Sequence, residues 1–284
     1  MQNYYEKEVL ITSTYADRRC EVGIFQAGIL IQDAMTEFFH QYDCDAIQMS
    51  RTHQAVWAIA RTKIFMDQDI LWMDRIRIKI FPVKISNVAI HLNILFESLD
   101  GHPLLRARQE LCAIDSVNHT LRRIDTTPFP MDLPPMEPVL TTPCRRMKLK
   151  LGPEHQLYTH TVRTMDTDMN QHMNNTSYFR LILDTHPSSF WDTWKVQEFD
   201  IHHVQRVSGR GRTSNLLPGG TWRIICTDQT RRNNPHQSFL TFEQKRISMT
   251  FFSSPAKLCR AIFLKKRGKK NQTSSCNPQK NPLH

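Results

Sequence analysis

Hydrophobic and small residues recur every three or four positions between residues 22 and 42. The series is Ile24, Gly28, Ile31, Met35, Phe38 and Tyr42. This spacing places the whole series on one face of an α-helix, because a helix completes a turn in about 3.6 residues. The pattern predicts a helix over residues 22–42 with one face to bury.

The segments that follow alternate between hydrophobic and polar residues. The alternation runs through residues 75–80, 88–96 and 105–113, and Asp100-Gly101 between the last two is a turn signal. Successive side chains of a strand point to opposite faces, so alternation is typical of an antiparallel sheet covered on one side. A long helix followed by about four strands predicts an α+β fold in which a sheet curls around a helix.

Proline then interrupts the pattern. Residues 126–146 contain six prolines, and neither a helix nor a central strand continues through such a segment. After it, the same kinds of element return. We expect short strands at 147–151 and 158–163, a helix at 174–184 and a strand at 199–207.

The two halves can be overlaid at an offset of 151 residues. The identities are Asp17 with Asp168, Leu30 with Leu181, Ile31 with Ile182 and Asp33 with Asp184. Together with the repeated order of elements, they favour a duplicated module. At this offset Arg19 aligns with Asn170 and Glu21 with His172, so the first module lacks part of the polar set found in the second.

These patterns predict four parts of the chain. They are a first module over residues 1–130, an extended linker over 131–146, a second module over 147–264 and a basic disordered tail over 265–284.

Composition narrows the classes of protein that fit. The chain has 284 residues, of which 40% are hydrophobic, enough for a folded core. Its net charge is +10, but residues 207–284 alone hold 15 Lys and Arg against 2 Asp and Glu. The basic character thus belongs to the last quarter, and the body gives no reason to expect a nucleic-acid partner.

Targeting signals and cysteine spacing add two expectations. No apolar run approaches the roughly 18 residues of a membrane span, and the start lacks the apolar stretch of a signal peptide. We therefore expect a cytoplasmic protein. Seven cysteines without CxxC spacing predict reduced thiols, with neither a disulfide framework nor a zinc site, and no cofactor is expected.

The densest polar cluster reads MDTDMNQHMNN over residues 165–175. In an extended segment, Asp168, Asn170 and His172 point to the same side. They combine a carboxylate, an amide that can orient water or a carbonyl, and an imidazole that titrates near neutral pH and suits proton transfer. The alternative interpretation is a polar turn in which Asn174 or Asn175 caps the following helix.

The order D-x-D-x-N-x-H-x-N-N-x-x-Y, which ends at Tyr178, resembles the motif that opens the second hot-dog module of plant and bacterial acyl-acyl-carrier-protein (acyl-ACP) thioesterases. Four segments of the first half are similar to the same family: GIFQAGILIQDAM, AVWAIARTKIFM, LDGHPLLRARQELCAID and LRRIDTTPFP. The resemblance covers about residues 5 to 205.

The resemblance implies two tandem hot-dog modules, each an antiparallel sheet wrapped around a long helix, with the acyl tail housed in the first. It implies hydrolysis of the fatty acyl-ACP thioester, which releases free fatty acid and ends fatty acid synthesis. In that family the residues that match Asp168, Asn170 and His172 position and activate the attacking water.

Two features depart from the family. The family has a Glu on the strand after the motif helix, and the alignment places Arg206 there, which stays protonated and cannot act as a general base. The likeness is also lost after about residue 206, which would leave the second module incomplete. A change of reading frame near residue 207 and true divergence both explain the loss, and translating the other frames of the coding DNA distinguishes them.

Several functions remain open. An acyl-CoA thioesterase and a catalytically impaired hot-dog protein that binds acyl chains are the alternatives, while a polyanion binder acting through the tail is the least favoured. Docking of the acidic carrier protein would need a basic surface. Its candidates, which otherwise form a solvated strand face, are Arg61, Lys63, Arg75, Arg77, Lys79 and Lys84. Fused modules can mimic a hot-dog dimer, so both a monomer and a homodimer fit.

Overall fold

A computed structural model describes residues 3–142, 156–161, 163–169, 173–184, 186–203, 221–228, 244–253 and 256–266. Residues 156–161, 202, 221–228, 244–253 and 256–266 are described through their backbone alone. The strands are β1 (Tyr5–Leu10), β2 (Ala55–Met66), β3 (Arg75–Ile85), β4 (Ile90–Ser98), β5 (Pro103–Asp115), β6 (Leu121–Arg122), β7 (Gln156–Thr161), β8 (Trp194–His202), β9 (Thr221–Asp228), β10 (Gln244–Ser253) and β11 (Ala256–Lys266). The α-helices are α1 (Ile24–His40), α2 (Ala46–His53), α3 (Asn175–Leu183) and α4 (Phe190–Thr193). Short 3-10 helices include Ser13–Tyr15, Ile124–Thr126 and Thr164–Asp166.

The strands form one antiparallel sheet. Its order is β1-β3-β4-β5-β2-β8-β11-β10-β9-β7, and β6 pairs with β5. The strands of the two halves meet where β2 pairs with β8, with Thr62 opposite Ile201 and Ile64 opposite Phe199. This arrangement confirms the predicted α+β class with an antiparallel sheet and few helices.

The predicted hydrophobic helix is confirmed as α1. It buries the expected face, including Ile24, Ile31 and Phe38, against the sheet. Gly28 on this face allows α3 to come close, because a Cβ atom at position 28 would lie 2.6 Å from two ring carbons of Phe179. A side chain at residue 28 would therefore separate the two helices.

The offset of 151 residues recurs in the boundaries of the elements. It relates β1 to β7, the 3-10 helix Ser13–Tyr15 to Thr164–Asp166, and the first residue of α1 to the first residue of α3. It also relates Gly28 to Phe179, the two residues in contact where the helices meet. The weak sequence overlay therefore corresponds to a structural repeat at the start of each half.

The proline-rich segment packs on the sheet as far as it is described. Leu133 and Leu140 are buried. The backbone N–H of Met136 donates to the carbonyl of Pro82 at 2.9 Å, and that of Leu140 to Oδ1 of Asn93 at 3.1 Å. Asn93 lies between the core residues Leu92 and Ile94 and so points to the opposite face of the sheet. The segment around Leu140 thus covers the side of the sheet that faces away from α1, whereas Leu133 belongs to the core that contains α1.

Several elements differ from the sequence predictions. The patterns missed α2, β1, β2 and β9, and β8 begins at Trp194 instead of residue 199. The predicted strand at 147–151, residues 143–146 of the linker and residues 267–284 of the tail lie outside the described residues. Lys265 and Lys266, the first two residues of the predicted tail, belong to β11.

One cysteine departs from the expected reduced state. Cys20 is disulfide-bonded, and its partner is not among the residues whose side chains are described, whereas Cys44 and Cys112 form no disulfide. No helix in the described part of the chain is long and apolar enough to cross a membrane.

Candidate functional site

The polar motif lies between the 3-10 helix Thr164–Asp166 and α3. Asp166, which is 1% exposed, anchors its first turn. Its side chain pairs with Arg180 of α3 and accepts a hydrogen bond from the backbone N–H of Arg163 at 2.7 Å. Its carbonyl accepts from the N–H of Asn174 at 2.7 Å, and Thr167 pairs with Met173 in an isolated β-bridge. The chain is therefore fixed on both sides of residues 168–172, at Thr167 before them and at Met173 and Asn174 after them.

Asn174 begins the motif helix. Its side-chain Oδ1 accepts hydrogen bonds from the backbone N–H and the hydroxyl of Thr176, each at 3.0 Å. Asn174 is thus the N-cap, as one of the two sequence alternatives predicted, and Asn175 is the first helical residue. The backbone amides of Asn174, Thr176 and Ser177 already donate, to the carbonyl of Asp166, to Oδ1 of Asn174 and to the carbonyl of Asn174. What the start of α3 presents beside the motif is therefore the positive end of its helix dipole.

Asp168 is half-buried next to Tyr178 on α3. Burial, and then the nearby charge of Asp168, raise the pKa of the Tyr178 phenol. Tyr178 contacts His203 edge to face, with ring centroids 5.3 Å apart. The raised pKa keeps the phenol of Tyr178 protonated. The side chains of Asp168, Tyr178 and His203 thus bring a carboxyl group, a neutral phenol and an imidazole together at the start of α3 and the end of β8. Asn170, His172 and Arg206 lie outside the described residues.

Sequence reasoning did not single out His203, which follows β8. Its backbone N–H donates to the carbonyl of Ala60 at 2.9 Å, which ties the end of β8 to β2. Two positions along this pairing, Thr62 lies opposite Ile201, and its hydroxyl accepts a hydrogen bond from Nε2 of Gln109 at 3.2 Å. Both polar side chains are buried on the α-helical side of the sheet. No motif spacing signals this pair, because the two residues are 47 positions apart.

A cavity of about 370 Å³ lies at the start of α1. We call it the α1 cavity. Its wall contains residues 16–19 and 21–26 from the first half, together with residues from α3, α4 and β8. Its apolar side chains include Val22, Phe25, Met66, Leu183, Trp191 and Trp194. The loop before α1 that lines this cavity lies 151 positions before the motif, so the cavity lies at the start of α1 as the motif lies at the start of α3.

Charged side chains surround the α1 cavity, and most of them are paired directly. Arg18 pairs with Asp192, and Lys195 with Asp69. Arg19 is placed differently: its Nε lies 3.8 Å from Glu21 and its Nη1 lies 3.8 Å from Asp192, both beyond hydrogen-bond distance. Nε of Arg19 is buried and, among the described residues, has no hydrogen-bond partner.

The candidate docking cations do not form a free basic surface. Lys63 is 1% exposed, and its Nζ lies 2.9 Å from Glu198 and 4.0 Å from Asp200. Arg61 pairs with Glu110, while Arg77 and Lys79 both pair with Glu97. Arg75 and Lys84 are exposed. Four of the six candidate cations are therefore held in ion pairs, and one of these, Lys63, is buried, so they form no continuous solvated face.

The motif region matches a protein-family model. Residues 152–218 match the model of the acyl-ACP thioesterase C-terminal domain. This segment contains the whole motif and continues past residue 206, so the family likeness ends later than the sequence analysis expected. No curated protein sequence matches the chain significantly.

Solved structures of thioesterases share the fold over nearly the whole chain. A protein assigned as an oleoyl thioesterase from Lactobacillus plantarum has a TM-score of 0.74 at 15% identity, with 94% of this chain and 97% of that chain covered. An acyl-ACP thioesterase from Bacteroides thetaiotaomicron has a TM-score of 0.72 at 13% identity, with coverages of 93% and 98%. The 12:0-ACP thioesterase from Umbellularia californica has a TM-score of 0.72 at 14% identity, with coverages of 93% and 94%. At these identities the matches establish the fold alone.

The resemblance first seen in the motif is thus confirmed at two levels: the chain carries the sequence signature of the acyl-ACP thioesterase C-terminal domain in residues 152–218, and it has the hot-dog fold of the acyl-ACP thioesterases.

Proposed function

We propose that this chain hydrolyses the thioester of fatty acyl-ACP, which releases free fatty acid and ends fatty acid synthesis, and that Asp168, Asn170 and His172 carry the reaction. The observation that carries the proposal is the family-model match over residues 152–218, because it includes all three residues. The start of α3 supports it, because the carboxyl group of Asp168 and the positive end of the α3 dipole lie side by side there.

Each group has a role in the proposed reaction. His172 takes a proton from water, whose oxygen attacks the thioester carbonyl carbon. The positive end of the α3 dipole and the side chain of Asn170 stabilise the oxyanion that forms. When the C–S bond breaks, His172 returns the proton to the departing thiolate, so the products are a fatty acid and the carrier thiol. Asp168 orients the water or the imidazole, and Tyr178 can donate a hydrogen bond because its phenol stays neutral.

A second candidate function is acyl binding without turnover. The observation that favours it is Arg206, which the alignment places where the family has a Glu. A guanidinium cannot accept a proton, so a mechanism that requires the Glu would fail in this chain. Acyl-CoA is the alternative substrate if hydrolysis does occur, since the same thioester chemistry serves both carriers.

The test is release of free fatty acid from a purified acyl-ACP thioester by four proteins. They are the parent chain, His172→Ala, Arg206→Glu and the control His102→Ala, which removes an exposed histidine from a turn. We expect hydrolysis by the parent and by the control, and a loss of at least about 100-fold in His172→Ala. Equal rates in the parent and His172→Ala would refute the assignment of His172.

The two candidate functions separate in the same experiment. A folded parent that binds acyl-ACP without releasing fatty acid supports the binding function, and recovery of hydrolysis in Arg206→Glu would locate the defect in that side chain. Replacing acyl-ACP by acyl-CoA decides the carrier: equal kcat/KM with both would contradict a carrier-protein preference.

A further inference from the structure

Two polar residues of β4, His91 and Asn93, point to the side of the sheet that faces away from α1, which we call the outer face. Their neighbours Leu92 and Ile94 are buried in the core, and successive residues of a strand point to opposite sides. Oδ1 of Asn93 accepts a hydrogen bond from the backbone N–H of Leu140 at 3.1 Å. The outer face of β4 is therefore in contact with the segment that leads from the first half of the chain to the second.

We call residues 136–140 of this segment the strap, and they are held to three strands. Asn93 on β4 holds the last residue of the strap, and Nη1 of Arg106 on β5 donates to the carbonyl of Val139 at 3.4 Å. The first residue of the strap donates its backbone hydrogen bond to β3. The strap brings one charged group, Glu137, which is exposed. A change in the outer-face side chains of β4 and β5 therefore acts on the strap.

His91 faces two partners of opposite charge through one ring nitrogen. Nη2 of Arg108 lies 3.2 Å from Nδ1 of His91, and Oε1 of Glu110 lies 3.6 Å from the same nitrogen. A guanidinium group can only donate, so Nδ1 accepts the hydrogen bond from Arg108 and the imidazole is neutral. The distance to Glu110 is longer than a hydrogen bond, so that contact is not made while the ring is neutral.

Arg108 depends on His91 for a hydrogen-bond acceptor. Among the residues whose side chains are described, His91 accepts from its Nη2, while its Nε is buried without a partner. Arg108 also lies opposite Lys63 on β2 and opposite Asn93 on β4. Without the bond to His91, the guanidinium would lack an acceptor next to another cation and would have to move. Such a movement reaches Asn93, the residue that holds the end of the strap.

The charges around His91 oppose its protonation. On β3, Lys84 lies opposite His91, and on β2, Arg61 pairs with Glu110 at 3.4 Å. Burial lowers the pKa of His91 most. The carboxylate of Glu110 raises this pKa, and the cations of Arg108, Lys84 and Arg61 lower it. Folding thus favours the neutral ring, so its contribution to stability is present above about pH 6.5 and is lost as the pH falls through the lowered pKa.

We propose that His91 is a pH-sensitive switch for the strap: the neutral ring accepts from Arg108 and keeps the strap in place, whereas the protonated ring donates from Nδ1 to Glu110, releases Arg108 and loosens the strap. The proton comes from solvent, because the side chain of His91 is 18% exposed. A small rotation of either side chain closes the gap between His91 and Glu110, which lie directly opposite each other on β4 and β5. The switch is independent of the proposed reaction, since none of these residues belongs to the motif.

The test is amide hydrogen exchange of the full chain, measured by NMR at about pH 7.5 and about pH 5, on either side of the ordinary pKa of histidine. The backbone amide of Leu140 reports on the strap, because its hydrogen bond goes to Asn93. We expect its protection factor, which is corrected for the intrinsic effect of pH on exchange, to be at least about fivefold lower at the acidic pH. An equal protection factor at both pH values would overturn the proposal.

His91→Gln separates protonation from hydrogen bonding. The glutamine amide can accept from Arg108 but does not take up a proton, so the Leu140 amide should stay equally protected at both pH values. His102→Gln is the matched control, because it removes a histidine that is 79% exposed, and it should respond to pH like the parent. A loss of protection in His91→Gln as large as that in the parent would place the response in another group and refute the switch.

Arg108→Met keeps the aliphatic stem and removes the cation, and it decides the question if His91→Gln fails to fold. We expect the pKa of His91, measured by NMR titration of its ring, to lie below its ordinary value in the parent and to rise in Arg108→Met. The response of the Leu140 amide to pH should shrink in the same variant. A parent pKa at or above about 6.5, or the same pKa in both chains, would contradict the proposed contact between His91 and Arg108.

Discussion

The contact between α1 and α3 predicts the effect of adding a single methyl group at residue 28. In Gly28→Ala, the new Cβ would lie 2.6 Å from two ring carbons of Phe179. An ordinary contact between carbon atoms is about 3.5–4.0 Å, so the ring would have to retreat by about 1 Å. Retreat is restricted, because the ring of Phe179 is also packed against Phe199, with ring centroids 4.4 Å apart.

Two opposing effects set the magnitude. Replacing glycine by alanine within a helix gains about 1 kcal/mol in helix propensity. Overpacking a tight core contact costs about 1–3 kcal/mol, and the obstructed ring favours the upper part of that range. We therefore expect Gly28→Ala to lower the free energy of unfolding by about 1–2 kcal/mol.

Equilibrium unfolding in urea measures this change. Thr36→Ala is the matched control, because Thr36 lies on the exposed face of the same helix and should show only the small propensity gain. Phe179→Leu removes the ring that the methyl group meets, so in that background Gly28→Ala should become neutral or stabilising. The reasoning fails if Gly28→Ala alone is more stable than the parent by the propensity gain, since the methyl group would then meet no obstacle.

The same substitution should affect the proposed reaction. A shift of α3 moves the motif at its N-terminus, and misplacement of reacting groups by about 1 Å can reduce a rate by about 100-fold. Hydrolysis by Gly28→Ala should fall even under conditions where the chain is fully folded. A folded Gly28→Ala chain with the parent kcat would show that the helix contact does not position the motif.

Three further results are expected. Lys63→Met should lower the free energy of unfolding by about 3–5 kcal/mol in urea titration, because the buried carboxylate of Asp200 and the largely buried one of Glu198 lose their cation. Lys84→Met, at an exposed position, should change it by less than about 0.5 kcal/mol, and equal effects would contradict a buried ion cluster. Asn174→Ala should lower the stability measured in a thermal melt by about 1 kcal/mol and should also reduce the rate of hydrolysis, because it removes the helix cap. Asn174→Ser can also cap a helix and should restore most of the stability and of the rate, so no rescue by serine would argue against the cap. Burial, aided by the charges of Asp45 and Asp43, raises the pKa of Cys44 to about 12, whereas the thiol of an unfolded chain has a pKa of about 8.5. The contribution of this thiol to the free energy of unfolding is therefore present below about pH 8.5 and is lost as the pH rises toward 12. A Cys44→Ala chain whose stability falls as steeply over that pH range would refute this.

Sequence patterns predicted the elements that have one buried face. In α1 the stripe from Ile24 to Phe38 faces the sheet, and in β3 the isoleucines point to the core while the basic residues point away. The period of each segment is then set by local geometry, so it can be recognised without knowing the neighbours. The helix cap at Asn174 was predictable for the same reason.

The central strand β2 was not predictable in this way. It lies between β5 and β8 and carries a register shift between Ile59 and Arg61, which interrupts its alternation. Lys63 is 1% exposed, and its partner Glu198 is 135 positions further along the chain. Pairs at such separations follow from the register of the sheet, which no local pattern of charges encodes.

The candidate site also combines residues that a local pattern identifies with residues that only the sheet brings together. Asp168, Asn170 and His172 could be proposed from their spacing alone, because all three lie within one short segment. His203, Thr62 and Gln109 come from three strands or strand ends, so their closeness depends on the pairing of β2 with β5 and β8. A motif therefore identifies the part of a site that one segment supplies, and the sheet supplies the rest.

The overlay at 151 residues extends this reasoning to the first half. In sequence, the alignment of Arg19 with Asn170 indicates only that the first half has lost a polar set. In the folded chain, the offset relates elements: it relates β1 to β7 and the start of α1 to the start of α3, and it relates Gly28 to Phe179, which meet where the helices touch. The repeat is therefore preserved in the strands and helix starts, which the packing of the sheet requires, while the side chains that a reaction would need differ between the halves.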